Sequence, residues 1–143
     1  MDMQNGARVA VYGDAPTNCT FENCKIYGYT NHATLNHYSF RLMNGSKDNK
    51  IIYNHLTGYD TPTQRGLMIS LEGIGTGFGG FFPLGVTVRP TTPAERNLVH
   101  GNTVLDGSYA INMLSGAYNT IAGNTFNNQN HRKINMANTS YEN

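Results

Sequence analysis

The sequence predicts an all-β chain wound as a right-handed parallel β-helix, a solenoid of about five to six rungs of roughly 22–24 residues. Three observations predict it: an asparagine-rich unit recurs along the chain, a short alternating run precedes each copy, and there is almost no helix signal. Nineteen of the 143 residues are asparagine, as many as all the charged residues together, and sixteen more are glycine. Such a composition also fits a disordered polar tract. Disorder is excluded by Val, Ile, Leu, Phe and Tyr recurring at fixed offsets from the asparagines, which implies a packed interior.

The unit reads Asn or Cys, any residue, apolar, two of any kind, Asn or Cys, any residue, apolar. Its copies are Cys19–Ile26, Asn49–Leu56, Asn97–Val104 and Asn119–Phe126, and Asn143 stands where a fifth would begin. The starts lie 30, 48, 22 and 24 residues apart. The 48 reads as two periods with one copy hidden or degenerate. Val9-Ala10-Val11, Phe40-Arg41-Leu42, Val86-Thr87-Val88, Ile111-Asn112-Met113 and Ile134-Asn135-Met136 alternate with the strand period. A repeat this short has no room for the crossover helix of a flat parallel sheet, so a coil of three short strands per turn remains.

Asparagine suits the corners of such a coil. It tolerates left-handed backbone, and its amide bonds both its own turn and the rungs above and below. Asn49, Asn54, Asn97, Asn102, Asn119 and Asn124 are therefore expected to form a structural ladder. Cys19 and Cys24 hold the same two positions in the first copy. They are expected as small buried residues at inward corners; their spacing suggests no disulfide, and two cysteines make no zinc site.

Charged residues make up 13% of the chain, against about 25% in a typical soluble domain, and the net charge is +1. That excludes the dense basic surface of a nucleic-acid binder. No apolar run approaches the roughly 20 residues needed to span a bilayer. Met1–Asn5 lacks the basic start and apolar core of a signal peptide. His32, His37, His55, His100 and His131 show no metal-ligand spacing, so neither metal nor cofactor is expected.

Function in a solenoid sits where the repeat is interrupted. Three segments interrupt it: Tyr27–Tyr38, rich in Tyr and His; Thr57–Arg65, with Tyr59 and Asp60; and Glu72–Gly85, which carries Phe78, Phe81 and Phe82. The last lacks the Gly-Lys-Ser/Thr ending of a phosphate loop. It reads either as an aromatic loop over a ligand groove or as a segment packed on another subunit. If Leu67, Ile69 and Leu71 face inward, Met68, Ser70 and Glu72 face outward. Arg41, Ser70 or Glu72, Arg89 and Asn112 then form a column on rungs about 4.8 Å apart, within reach of one sugar chain. Arg41, Arg89, Asn112, Tyr59 and Phe78 are the candidate ligand contacts, and Glu72 is the candidate acid or base. A glycosidase needs a second carboxylate, for which Asp60 and Asp106 are available, although Asp106-Gly107 and Asp60-Thr61-Pro62 read more simply as turns.

The Asn-x-Ile-x-x-Asn-x-Phe unit at Asn119–Phe126, with Val-x-Val or Ile-x-Met strands before such units, resembles the pectate-lyase-like parallel β-helix superfamily. Low charge, abundant Asn, Gly and Tyr, and irregular loops are most similar to bacteriophage tailspikes and capsule depolymerases. The resemblance implies a homotrimeric spike on a virion, or an extracellular protein, that binds and in many cases cleaves bacterial surface polysaccharide. It implies one domain, 1–143, as a segment of a longer spike or a chain completed by partners. The alternatives are a bacterial polysaccharide lyase or epimerase, although the Gly-Gly-x-Gly-x-Asp calcium repeats of the latter are missing, and a structural trimerisation segment without ligand. Arg and Glu on adjacent rungs favour sugar contact; Met43, Met68 and Leu114 facing outward favour subunit packing.

Overall fold

The computed structural model describes residues 2–4, 9–27, 37–58, 66–73 and 92–137. Among them all regular structure is strand. In chain order the strands are β1 (Asp2–Gln4), β2 (Val9–Asp14), β3 (Thr20–Glu22), β4 (Lys25–Tyr27), β5 (Tyr38–Met43), β6 (Lys50–Ile52) and β7 (His55–Thr57). There follow β8 (Leu67–Glu72), β9 (Ala94–Glu95), β10 (Leu98–His100), β11 (Thr103–Leu105), β12 (Tyr109–Leu114), β13 (Gly116–Ala117), β14 (Thr120–Ala122), β15 (Thr125–Asn127) and β16 (Arg132–Ala137).

Every pairing among the described residues is parallel. The six-residue strands form one sheet in the order β2-β5-β8-β12-β16, which we term the long sheet. A middle sheet runs β3-β6-β10-β14, a third sheet β1-β4-β7-β11-β15, and β9 pairs with β13. From β2 onward the chain visits long, middle and third sheet in that cyclic order, advancing one strand on each pass. Parallel neighbours are thus separated by a whole pass.

The inner residues of the three sheets meet in one core. Phe40, Ile69 and Ile111 stack in register on the long sheet, Ile51 and Val99 on the middle sheet, and Ile26, Leu56 and Val104 on the third. Each such side chain contributes about 1.5–3 kcal/mol by leaving water. Phe21 leans on Phe40 with ring centroids 5.5 Å apart.

Two sequence expectations fail against these pairings. No copy of the unit is hidden in the 48-residue interval, because Lys50 pairs directly with Leu98 and the Asn49 amide donates to Asn97 Oδ1 at 2.9 Å. That interval is one long pass. Residues 59–65 join β7 to β8 and residues 74–91 join β8 to β9, so Val86-Thr87-Val88 and Tyr59, Asp60, Phe78 and Arg89 lie outside the described residues.

The second correction is Met68, which joins the core instead of facing outward. Simple alternation fails because pairing in the long sheet partners first and third residues and skips the second, in β2–β5, β8–β12 and β12–β16 alike. Such an irregularity turns the second residue inward, as seen for Met68 and Ala110. It also brings first and fourth residues to the same face: the Arg41 guanidinium lies 4.7 Å from the Tyr38 ring centroid, and Arg132 reaches Asn135. Gly58 leaves room for Met68, since a Cβ there would meet its sulfur at 2.6 Å.

The corner between the β9/β13 pair and the middle sheet carries an exposed ion network. Arg96 pairs with Asp48 at 2.8 and 2.9 Å and with Glu95 at 2.7 Å, and Lys47 pairs with Glu95 at 2.9 Å. Its hydrogen bond to Arg96 holds the Asp48 carboxyl below its ordinary value of 3.8. Lys47 first, and then Arg96, holds Glu95 below 4.5 against the opposing effect of burial. Depressed carboxyls stabilise the fold above their ordinary values, and that stability is lost as the pH falls through the folded ones. Between about pH 5 and pH 3, therefore, Arg96→Met should show a smaller fall in thermal midpoint than the parent chain. An identical fall in both proteins would show that the network contributes nothing.

Candidate functional site

The ladder occupies the corners where inward side chains would otherwise leave backbone groups unpaired. Asn54 Nδ2 donates to Phe21 O at 3.0 Å and to Asn102 Oδ1 at 2.9 Å, while Asn102 Oδ1 also accepts from the Asn54 backbone N–H at 2.9 Å. The Asn49, Asn97, Asn119 column repeats this pattern one corner earlier. Each amide oxygen serves the rung before it, so the columns have a direction. Cys19 and Cys24, at the first of these positions, need only give their N–H groups to Asn49 and Asn54, at 3.0 and 2.9 Å. Both are free thiols; Cys24 is buried and Cys19 half-buried. Gln129, not singled out by the repeat, acts similarly at the next corner, donating to Val104 O, Asp106 O and Asn127 O.

The outward face of the long sheet carries a different row. Tyr12, Arg41, Ser70, Asn112 and Asn135 are successive partners in register, about 4.8 Å apart. Arg41 grips Glu72 with both prongs of its fork, Nε to Oε1 at 3.0 Å and a terminal nitrogen to Oε2 at 3.1 Å. Ser70 Oγ donates to Glu72 Oε1 at 2.8 Å. The hydroxyl proton being committed, Ser70 Oγ accepts from Asn112 Nδ2 at 3.1 Å. Asn112 Oδ1 in turn accepts from Asn135 Nδ2 at 2.9 Å, and Asn135 Oδ1 accepts from Arg132 at 3.3 Å. Every donor in the row thus points towards Glu72.

The middle of this row is buried where a solvated face was expected, while Tyr12 at one end is 57% exposed. The side chain of Arg41 is 12% exposed and that of Glu72 1%; Ser70 is fully enclosed. Burial pulls the Arg41 pKa down, but the hydrogen bonds and charge of Glu72 outweigh it, with lesser help from Tyr38 and Tyr12, and the guanidinium ends above its ordinary value. Arg41 is therefore committed to a neighbour rather than presented to a ligand.

The candidate carboxylates do not come together. Glu72 pairs in register with Leu114 at the far end of β12, whereas Asp106 precedes the first residue, Tyr109. The strand between them amounts to ~16 Å at about 3.3 Å per residue. A glycosidase pair needs about 5–9.5 Å. Asp106 is in a left-handed turn with Gly107 and accepts from Asn128 at 2.6 Å, as the plain turn reading required. Asp60 lies outside the described residues. Among the described residues no three His, Cys, Asp or Glu side chains gather as metal ligands, and no helix is long and apolar enough to cross a membrane.

Beyond Asn112 the same face opens. The Tyr109 and His131 rings stack at 5.5 Å with 17° between their planes, and Arg132 is the register partner of Tyr109. Neither His131 nor Arg132 belongs to the repeated unit or to the segments that interrupt it. Aligning Ile134-Asn135-Met136 with Ile111-Asn112-Met113 is the signal that places them. Elsewhere Tyr53 stands exposed with its ring edge against His100 at 5.5 Å. Comparison of the chain with family models, curated proteins and solved structures found no match. Function has to be read from the side chains themselves.

Proposed function

We propose that this chain is a right-handed parallel β-helix of the phage-tailspike kind that binds bacterial surface polysaccharide on the outward face of its long sheet, at the end where that face is open. The cyclic order of sheets supports the helix, and a parallel crossover returning to its own sheet is right-handed in about 98% of cases. The observation that carries the function is where the longer passes hold their extra residues. The 97-to-119 pass is compact, with single residues or short turns between strands. The excess of the other passes enters before β5 (residues 28–36), before β8 (59–65) or after β8 (74–91). Those are the strands that carry Arg41, Ser70 and Glu72. Insertions in solenoids collect on the face that binds.

Binding without cleavage is the reading that fits Glu72. Its oxygens accept from Arg41 and Ser70, it is closed off from solvent, and Asp106 is out of reach as a partner carboxylate. Affinity electrophoresis through gels holding capsular or O-antigen polysaccharides, with assay of new reducing and unsaturated ends, tests this. Retardation without new ends is expected. New ends would overturn the non-catalytic reading, and the absence of any retardation across the panel would overturn the function.

A further inference from the structure

We propose that the outward face of β12 and β16 binds the carboxylate-bearing units of an acidic polysaccharide, with Arg132 as the anion contact. This rests on the polysaccharide reading above and names the class of polymer and the place on the sheet. The reason begins with Arg41, whose fork is filled by Glu72 and faces no solvent-borne anion. The exposed guanidinium on the same face is Arg132, in register with Tyr109. Among the described residues no carboxylate pairs with it. Among those residues the nearest acid along the chain, Asp106, accepts from Asn128.

Arg132 is also held in place. Because Ser70 gives its one proton to Glu72, Asn112 has to turn its NH₂ towards Ser70 and its oxygen towards Asn135. Asn135 then has to turn its oxygen outward, where it accepts from Arg132 at 3.3 Å. The buried carboxylate of Glu72 thus sets the orientation of a row of amides ending on an exposed guanidinium, and acts as a positioning residue. One bond to Asn135 leaves Arg132 most of its five N–H donors, enough to grip a carboxylate in bidentate fashion. The stacked Tyr109 and His131 rings supply an apolar surface for the C–H face of a sugar ring, and the Asn135 amide still has a donor and a lone pair for hydroxyls. A carboxylate, a ring face and hydroxyls within one unit describe a uronate or sialate residue.

The full chain is titrated with polygalacturonate and polysialic acid, with dextran and mannan as neutral polymers, and with polyglutamate as an acidic polymer without sugar. The acidic polysaccharides should bind, and added salt should weaken them. Arg132→Met should weaken them about tenfold, as losing about 1.4 kcal/mol would, and Arg132→Lys by less, because an ammonium cannot make the fork contact. Arg132 is exposed, so an unchanged thermal melt will show that Arg132→Met folds. Equal affinity of the parent and Arg132→Met for the acidic polysaccharides overturns the inference, as does polyglutamate binding as tightly as they do. Binding of neutral polymers alone overturns it while leaving the polysaccharide reading standing; binding of none overturns both.

Discussion

Asn102→Ala lowers the unfolding free energy by about 3–5 kcal/mol in equilibrium urea denaturation, the largest effect expected of any single truncation in the ladder. The Asn102 side chain is fully enclosed and makes four bonds. Its oxygen accepts from the backbone N–H and the side-chain amide of Asn54, both at 2.9 Å, and its amide donates to Ile51 O at 2.8 Å and Asn124 Oδ1 at 2.9 Å. Alanine leaves a backbone donor and a backbone acceptor stranded where water does not reach, at about 1–3 kcal/mol each. Cys24→Ala should cost only about 1 kcal/mol, because Cys24 meets the ladder through its backbone N–H, which alanine retains. Equal losses at the two positions would contradict a ladder whose amide oxygens serve the preceding rung.

Arg41→Met is the second large effect, expected at about 3–5 kcal/mol. It strands the Glu72 carboxylate, 1% exposed, with Ser70 as its remaining hydrogen-bond donor of the pair described. In Arg41→Met/Glu72→Gln the charge is gone but an oxygen remains for Ser70, and at least half of the loss should return. A double-mutant cycle with a coupling energy near zero would mean that the two groups do not depend on each other. The loss should also be insensitive to salt, since buried pairs are screened far less than surface ones.

The legible part of the fold is the part that local chemistry repeats. Each ladder asparagine is needed twice, by its own corner and by the adjoining rung, so the five-residue offset between Asn49 and Asn54 or Asn97 and Asn102 survives every change in the residues between. The length of a pass is much less constrained, because closing a longer loop costs little more than closing a shorter one. That is why 48 residues could be read as two rungs when the Asn49–Asn97 bond makes them one. Met68 misled for a related reason. Period-two alternation holds only while pairing is regular, and the skipped second residue of the long-sheet strands is a property of the assembled sheet.

The candidate site divides along the same line. The steps Arg41, Ser70 and Asn112 were legible because equivalent positions of successive repeats must stack; a rung for Arg89 between Ser70 and Asn112 was expected wrongly, since those two are direct register partners. Whether Arg41 meets a ligand or Glu72 was not, since both sit on adjacent rungs and either pairing satisfies the guanidinium. Nor was Arg132, whose place under Tyr109 emerges only once β12 and β16 are aligned. The exposed end of the row rather than its charged middle is the part accessible to a polymer.

The most direct test of the polysaccharide-binding face is a ¹H–¹⁵N NMR titration of the ¹⁵N-labelled chain with the polysaccharide that retards it. The expected shifts fall on the Asn135 side-chain amide, the Arg132 Nε–H and the backbone of β12 and β16. Shifts confined to the middle and third sheets, with Asn135 and Arg132 unmoved at saturation, would contradict the account.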